Sequence, residues 1–417
     1  MTLGTDLPAA PAVRVHALGA FRHSNYRLYL LSTVVSQIGT WMQYLAEGLL
    51  IYRLTQAPLA LGLLGFLPLL PLVPLMFLGG ALADRLPRQK YLIWVQMAAV
   101  LPPLWLAALT WTGRVQVWHV ILVEILIQSL ATLDKPARQA LIVDTVEMQD
   151  LDAGVALSAS VFNLSRVIGP ALGGLLVAWA GEGVCFALNA VSFLASGIAL
   201  RLLRLPSSEA AARSRSPEGG MLGGVRYLAR ERFLAAALGL SLLVSLFVMP
   251  YQRFLPVFAL DILDVGEVGL GVLNALAGLG AVLGAVALAG VVSRWPGRRG
   301  KLAWGLALLV GPLLALFALA RSAWLSGLMV MLVGAGVVAV RSLAFTLVQV
   351  YVPDELRGRT LSIVILLSVG AVRVGELAVG FLASHAGVTP PLLLAAGACL
   401  LGTAALGLLV PRLRHAP

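Results

Sequence analysis

The chain has 417 residues, 59% of them hydrophobic and only 12% charged. A water-soluble chain carries about 25% charged residues, so this one has too little polar surface for soluble domains and reads as a polytopic membrane protein. Its 30 Lys and Arg against 19 Asp and Glu give a net charge of +11, but they are spread between apolar segments, which points to membrane topology and away from nucleic acid.

Taken in chain order, the apolar segments lie at 28–52, 59–82, 91–111, 117–134, 153–180 and 183–203, then at 233–258, 268–292, 301–320, 324–350, 360–384 and 390–410. Most reach the roughly 20 residues a helix needs to cross the hydrocarbon, and the alternating ten-residue strands of a barrel are absent. The expected fold is all-α, with twelve transmembrane helices in two six-helix halves. No charged start, apolar run and small-residue cleavage site opens the chain, so no removable signal peptide is expected. The expected organisation is an N-terminal segment 1–27, a bundle 28–204, a polar linker 205–232, a bundle 233–410 and a tail 411–417.

Basic residues choose the side. Twenty-three of the 30 Lys and Arg fall at the termini, in the linker and in loops on that face, Lys135 and Arg138 among them; Arg53, Arg114, Arg253 and Arg321 fall on the other. The positive-inside rule then predicts cytoplasmic termini and linker. The halves also echo each other. Gly80-Ala-Leu-Ala-Asp-Arg follows the second span and Gly290-Val-Val-Ser-Arg-Trp the eighth; Arg166 precedes Gly173 by seven residues, as Arg373 precedes Gly380. Matching offsets argue for a duplicated six-helix unit.

Catalytic signatures are missing. Gly297-Arg-Arg-Gly-Lys301-Leu lacks the spacing and hydroxyl of a phosphate loop, and no HExxH, GxSxG or CxxC occurs. The five histidines are scattered, and Cys185 and Cys399 lie in apolar runs. No enzyme activity, metal or cofactor is expected.

The informative residues are the ionisable ones inside spans: Glu47, Glu124, Arg166, Arg341, Arg373 and Glu376. Each costs roughly 2.5–3.5 kcal/mol at mid-bilayer, so they are expected to face water or one another. On the first span Thr33, Ser36, Gln37, Thr40, Gln43, Tyr44 and Glu47 share one helical face. Glu124 and Gln128 share a face of the fourth span, and Arg341, Phe345 and Gln349 one of the tenth. These stripes predict a central substrate cavity lined by Gln37, Thr40, Tyr44, Gln128, Arg341, Phe345 and Gln349. Glu47 and Glu124 sit at matching depth. Two carboxylates in one low-dielectric pocket do not both ionise easily, which is what proton coupling needs. Arg166 is read either as an attractor of an anionic substrate or as a donor to carbonyls freed at Pro170. Arg373 and Glu376, three apart on the eleventh span, are expected to pair.

Gly80, Asp84, Arg85 and Arg88, together with Gly169-Pro170-Ala-Leu-Gly173-Gly174, resemble the cytoplasmic and antiporter signatures of the major facilitator superfamily. Phe21-Arg-His-Ser-Asn-Tyr, Pro136-Ala-Arg-Gln-Ala-Leu and Val352-Pro-Asp-Glu-Leu-Arg are similar to its enterobactin-exporter-like branch. The resemblance implies a monomeric carrier of the bacterial inner membrane that exports a drug-like or siderophore-like compound in exchange for protons. It also implies a conformational gate at Gly80, Asp84, Arg85 and Arg88, with Asp84 facing the start of the eleventh helix and Arg88 reaching Asp134, and an antiporter motif at Arg166, Gly169, Pro170, Gly173 and Gly174. The alternatives are a proton-coupled nutrient importer and a non-transporting membrane sensor.

Overall fold

The computed structural model describes residues 19–205, 231–294 and 298–411, and they are helical with no strand. The linker boundaries expected at 205–232 fall mostly on 206–230, and the tail on 412–417, outside the described residues; so do the side chains of Asp84 and Arg85 and the gate position Gly80.

The first six helices are α1 (Ser24–Thr55), α2 (Pro58–Phe66 and Leu69–Arg85), α3 (Arg88–Trp111), α4 (Val117–Thr145), α5 (Leu151–Ala180) and α6 (Glu182–Arg201). The second six are α7 (Arg232–Ile262), α8 (Gly266–Arg294), α9 (Arg299–Leu319), α10 (Ala323–Tyr351), α11 (Asp354–Ala386) and α12 (Thr389–Leu409). Eleven of these are long and apolar enough to cross a membrane among the described residues. The remaining one is α1. Its 32 residues are ample, but the polar stripe from Ser32 to Glu47 dilutes its apolar character.

Some bounds differ from expectation. α4 does not stop at 134: Pro136 lies inside it, because one missing backbone hydrogen bond is tolerated where neighbouring helices support the chain. Lys135 and Arg138 therefore stand on a helix and not in a loop. Arg253 is a second correction. It is no surface-loop charge but is 2% exposed within α7. Pro250 and Pro256, which cannot donate backbone N–H groups, distort this stretch. It runs through π turns at Val244–Val248 and Phe258–Ile262, with a 3-10 turn at Met249–Phe254 between them.

The halves join through two helix pairs, α5 on α8 and the Pro58–Phe66 segment of α2 on α11. Both joins depend on glycine. A Cβ on Gly174 would stand 2.9 Å from the Cα of Gly271, and one on Gly380 would stand 2.9 Å from the Cα of Gly62. Only bare backbones approach so closely. The Leu69–Arg85 segment of α2 leaves α11 and packs on α4, with Gly79 against Leu133.

The apolar clusters follow the same division. One large cluster joins both halves, running from Leu45, Leu49 and Phe186 to Tyr251, Phe254 and Phe258. Towards the linker end the cores separate. Tyr26, Tyr29, Leu92 and Leu141 belong to the first half alone, and Leu234, Leu238, Val348 and Ile363 to the second. The bundle is thus closed at the end bearing Arg53 and parted at the end bearing the linker.

Candidate functional site

Below the closed end lies a cavity of about 390 Å³. The α1 stripe forms one wall through Ser36, Gln37, Thr40, Gln43, Tyr44 and Glu47. A helix with one polar and one apolar face has a low-energy place only where the polar face is wet. Gln128 and Arg341 also line the cavity. Phe345 and Gln349, expected there, do not. Phe345 packs on the α7–α10–α11 cluster and Gln349 is exposed, because the two halves part on that side and α10 turns its next turns to α7 and to the surroundings.

At the cavity's closed end the ionisable residues form one cluster. Asn189 of α6 donates to Gln43, and Gln43 Nε2 donates to Glu47 Oε1 at 2.7 Å. Glu47 is fully buried, its Oε2 accepts no hydrogen bond, and its carboxyl faces that of Glu124. Glu124 Oε1 accepts from Arg253 Nη2 at 3.1 Å and from Gln128 Nε2 at 3.3 Å. Arg253 in turn lies 3.8 Å from Glu376 Oε1 and 4.3 Å over the Tyr44 ring. Arg373 Nη1 stands 3.2 Å from the other oxygen of Glu376. Five helices therefore contribute charge or hydrogen bonds here. Burying a lone charge costs several kcal/mol, so each of these residues depends on the rest.

Depth along α1 and α4 pointed to Glu47 and Glu124, and the helices place them side by side. Arg253 is the residue that sequence reasoning missed. Its signal was there: an arginine between Pro250 and Pro256 within an apolar run, where a broken helix lines a cavity.

The remaining sites are more dispersed. Arg88 does not reach Asp134; its Nη1 binds Asp144 Oδ2 at 3.0 Å. Asp134 lies ten residues, about 15 Å of helix, further from that end. It is held within the first half by Arg138 Nε at 2.6 Å and Gln96 Nε2 at 2.9 Å. The α5 motif serves close packing. Gly169 and Gly173 meet Trp41 and Met42 of α1, and Gly174 meets Gly271. Pro170 frees the carbonyl of Arg166, which points at Gly278, where a Cβ would be 2.8 Å away. The Arg166 side chain does not serve that carbonyl. Its guanidinium lies 5.7 Å over the Trp41 ring.

At the closed end itself Arg53 binds Glu182 at 2.6 Å and also Glu267 of α8, while Tyr52 donates to Asp261 of α7. The Arg53–Glu267 and Tyr52–Asp261 contacts join the halves outside the glycine pairs.

Residues 15–416 match the family described as transmembrane secretion effector. The multidrug efflux pump Tap of Mycolicibacterium fortuitum is 30% identical over 270 residues, 64% of either chain. The MFS-type transporter YfiS of Bacillus subtilis (strain 168) is 25% identical over 240 residues, 55% of either chain. The match thus spans less than two thirds of either relative's length. Among solved structures, a bacterial homolog of the human lysosomal transporter Spinster, inward-facing and occupied, superposes with a TM-score of 0.76 at 14% identity, over 94% of this chain and 98% of that one. The nucleoside transporter NupG superposes with a TM-score of 0.69 at 13% identity, over 92% of this chain and 98% of that one. At such identities the likeness is one of fold.

Proposed function

The chain belongs to the transmembrane secretion effector family of major facilitator transporters, and from that premise we propose that it exports a small amphipathic compound across the bacterial inner membrane in exchange for protons. It is a multi-pass membrane transporter, not an enzyme. The linker end is assigned to the cytoplasm by its excess of Lys and Arg, so the state described here is open inward and closed outward.

The observation that carries the reading is the carboxyl pair. Glu47 Oε2 has no donor among the described residues, and the Glu47 carboxyl neighbours that of Glu124, an acceptor as well. A proton between the two turns repulsion into a hydrogen bond. That proton also touches the join between the halves. Glu124 belongs to the first half, and its partner Arg253 to the second. With Glu124 ionised, the ion pair holds the outer end shut; with Glu124 protonated, Arg253 is left to Glu376 and the join loosens. Rocking of the halves about the glycine pairs then exposes the cavity on the other side. Similarity to a multidrug efflux pump supports outward transport of drug-like compounds. The carrier works as a single chain, since one chain contains both halves and the whole cavity.

The test is flux in proteoliposomes with an imposed pH gradient and a panel of dyes, antibiotics and siderophores. Substrate should move against its own gradient towards the acidic side. Movement with the protons would mean import, and no flux with any compound would favour a sensor. Single cysteines in the 205–232 linker should resist an impermeant thiol reagent added to intact cells; labelling overturns the orientation.

A further inference from the structure

Apart from Glu47, which stands beside Glu124, the carboxylates of the cavity are matched. Glu124 and Glu376 have Arg253 and Arg373, and Asp134 has Arg138. Among the described residues two arginines, one in the cavity lining and one beside it, are left over. Arg341 of α10 lines the cavity, and its Nη1 has only the thioether of Met249 at 3.0 Å, a weak acceptor for a full positive charge. Among the described residues the Arg166 guanidinium of α5 has the face of Trp41 and no hydrogen-bond partner. Among the described residues neither has a carboxylate within 4.0 Å. They come from opposite halves, yet both stand at the same cavity, Arg341 in its lining and Arg166 over Trp41, another lining residue, an arrangement of like charges that an anion between them would relieve. Lys135, also on the cavity wall, adds a third cation with no ion pair among the described residues. Beside them the wall is aromatic. Trp41 meets Tyr44 with ring centroids 5.7 Å apart and Phe162 at 6.1 Å.

We propose that Arg166 and Arg341 form the head-group site of this cavity, and that its ligand is an amphipathic organic anion. The head is a carboxylate, sulfonate or phosphate between the two guanidiniums, whose planar forks suit such groups. The apolar body lies against Trp41, Tyr44 and Phe162. The assignment rests on the transport reading and names its substrate class. It also gives the ligand a part in the cycle: an anion held by one arginine from each half draws α5 and α10 together on the side where the structure is parted.

The test is equilibrium binding to the full chain in nanodiscs of neutral lipid, with no pH gradient. The probes share one ring system and differ in the head: 1-pyrenebutyrate, 1-pyrenebutanol and 1-pyrenylmethyl-trimethylammonium. The wild type should bind the anion at least tenfold more tightly than the cation. Arg341→Gln and Arg166→Gln should each lose tenfold or more for the anion and leave the alcohol unchanged, and Arg341→Lys should recover part of the loss. Should Arg166→Gln not fold, the Arg341 variants and the wild-type preference decide. A wild type that does not prefer the anion, or Gln variants with unchanged anion affinity, overturns the proposal. Proteoliposome flux separates the two readings. Anion binding without pH-driven flux sinks export and leaves the head-group site standing; pH-driven export of the cation, unaffected by Arg341→Gln, does the reverse.

Discussion

At Arg253 a guanidinium is buried among Glu124, Glu376 and the Tyr44 ring, and removal of one partner leaves the others charged in a low dielectric. Loss of one member of a buried pair costs about 3–5 kcal/mol. Arg253→Gln is therefore expected to lower thermal stability in detergent sharply, and Glu124→Gln added to it should recover part of the loss, since the second change removes a stranded carboxylate. Additive losses would mean that the pair is not coupled. The carboxyl pair gives a different readout. Glu47→Gln and Glu124→Gln keep shape and most hydrogen bonds but do not titrate. Both should fold, and at least one should lose uphill, pH-driven transport while keeping downhill exchange. Wild-type uphill transport in both single variants and the double variant would move coupling elsewhere.

The helices show how composition and position combine. α1 keeps its apolar residues on one side, and its other face supplies more of the polar wall of the cavity than any other helix. α2 and α11, like α5 and α8, meet at glycines because backbone contact is what lets two halves roll on each other with little side-chain rearrangement. A leucine at 271 would stand against the backbone of Gly174 and Pro170. Gly271→Leu should therefore force α5 and α8 apart and weaken the outward-closed state. Spin labels at Leu54 in α1 and Val268 in α8 should report a longer and broader distance. An unchanged distribution would show that this contact does not set the closure.

For the whole molecule, closure at one end is divided between an apolar cluster shared by the halves and a few polar contacts at its rim. Arg53 is 36% exposed in its side chain, so its ion pairs are worth only about 0–1 kcal/mol each after solvent screening. Tyr52→Phe with Arg53→Gln should accordingly shift the balance towards outward-open about fivefold, not abolish closure. The same label pair measures it, and the shift should shrink at high salt, where Arg53 contributes less in the wild type. A complete switch to outward-open would mean that the rim, and not the shared core, holds the end shut.

The sequence by itself determined the membrane environment and the all-helical class, because length and apolarity are local properties that the bilayer reads directly. It also determined the wet face of α1 and the depth at which Glu47 and Glu124 sit, since both follow from helical geometry. Which residues meet was decided by tertiary structure. Arg88 finds Asp144 and not Asp134, and Arg253 turns inward to Glu124 and Glu376. Phe345 and Gln349 leave the cavity, while Arg341 lines it and Arg166 from the other half sits over Trp41 in its wall. Such pairings depend on the tilt and rotation of helices that share no local sequence, and on which end of the bundle is closed. A charge in a one-dimensional pattern has a side and a depth, but its partner is set only when the two halves are packed together.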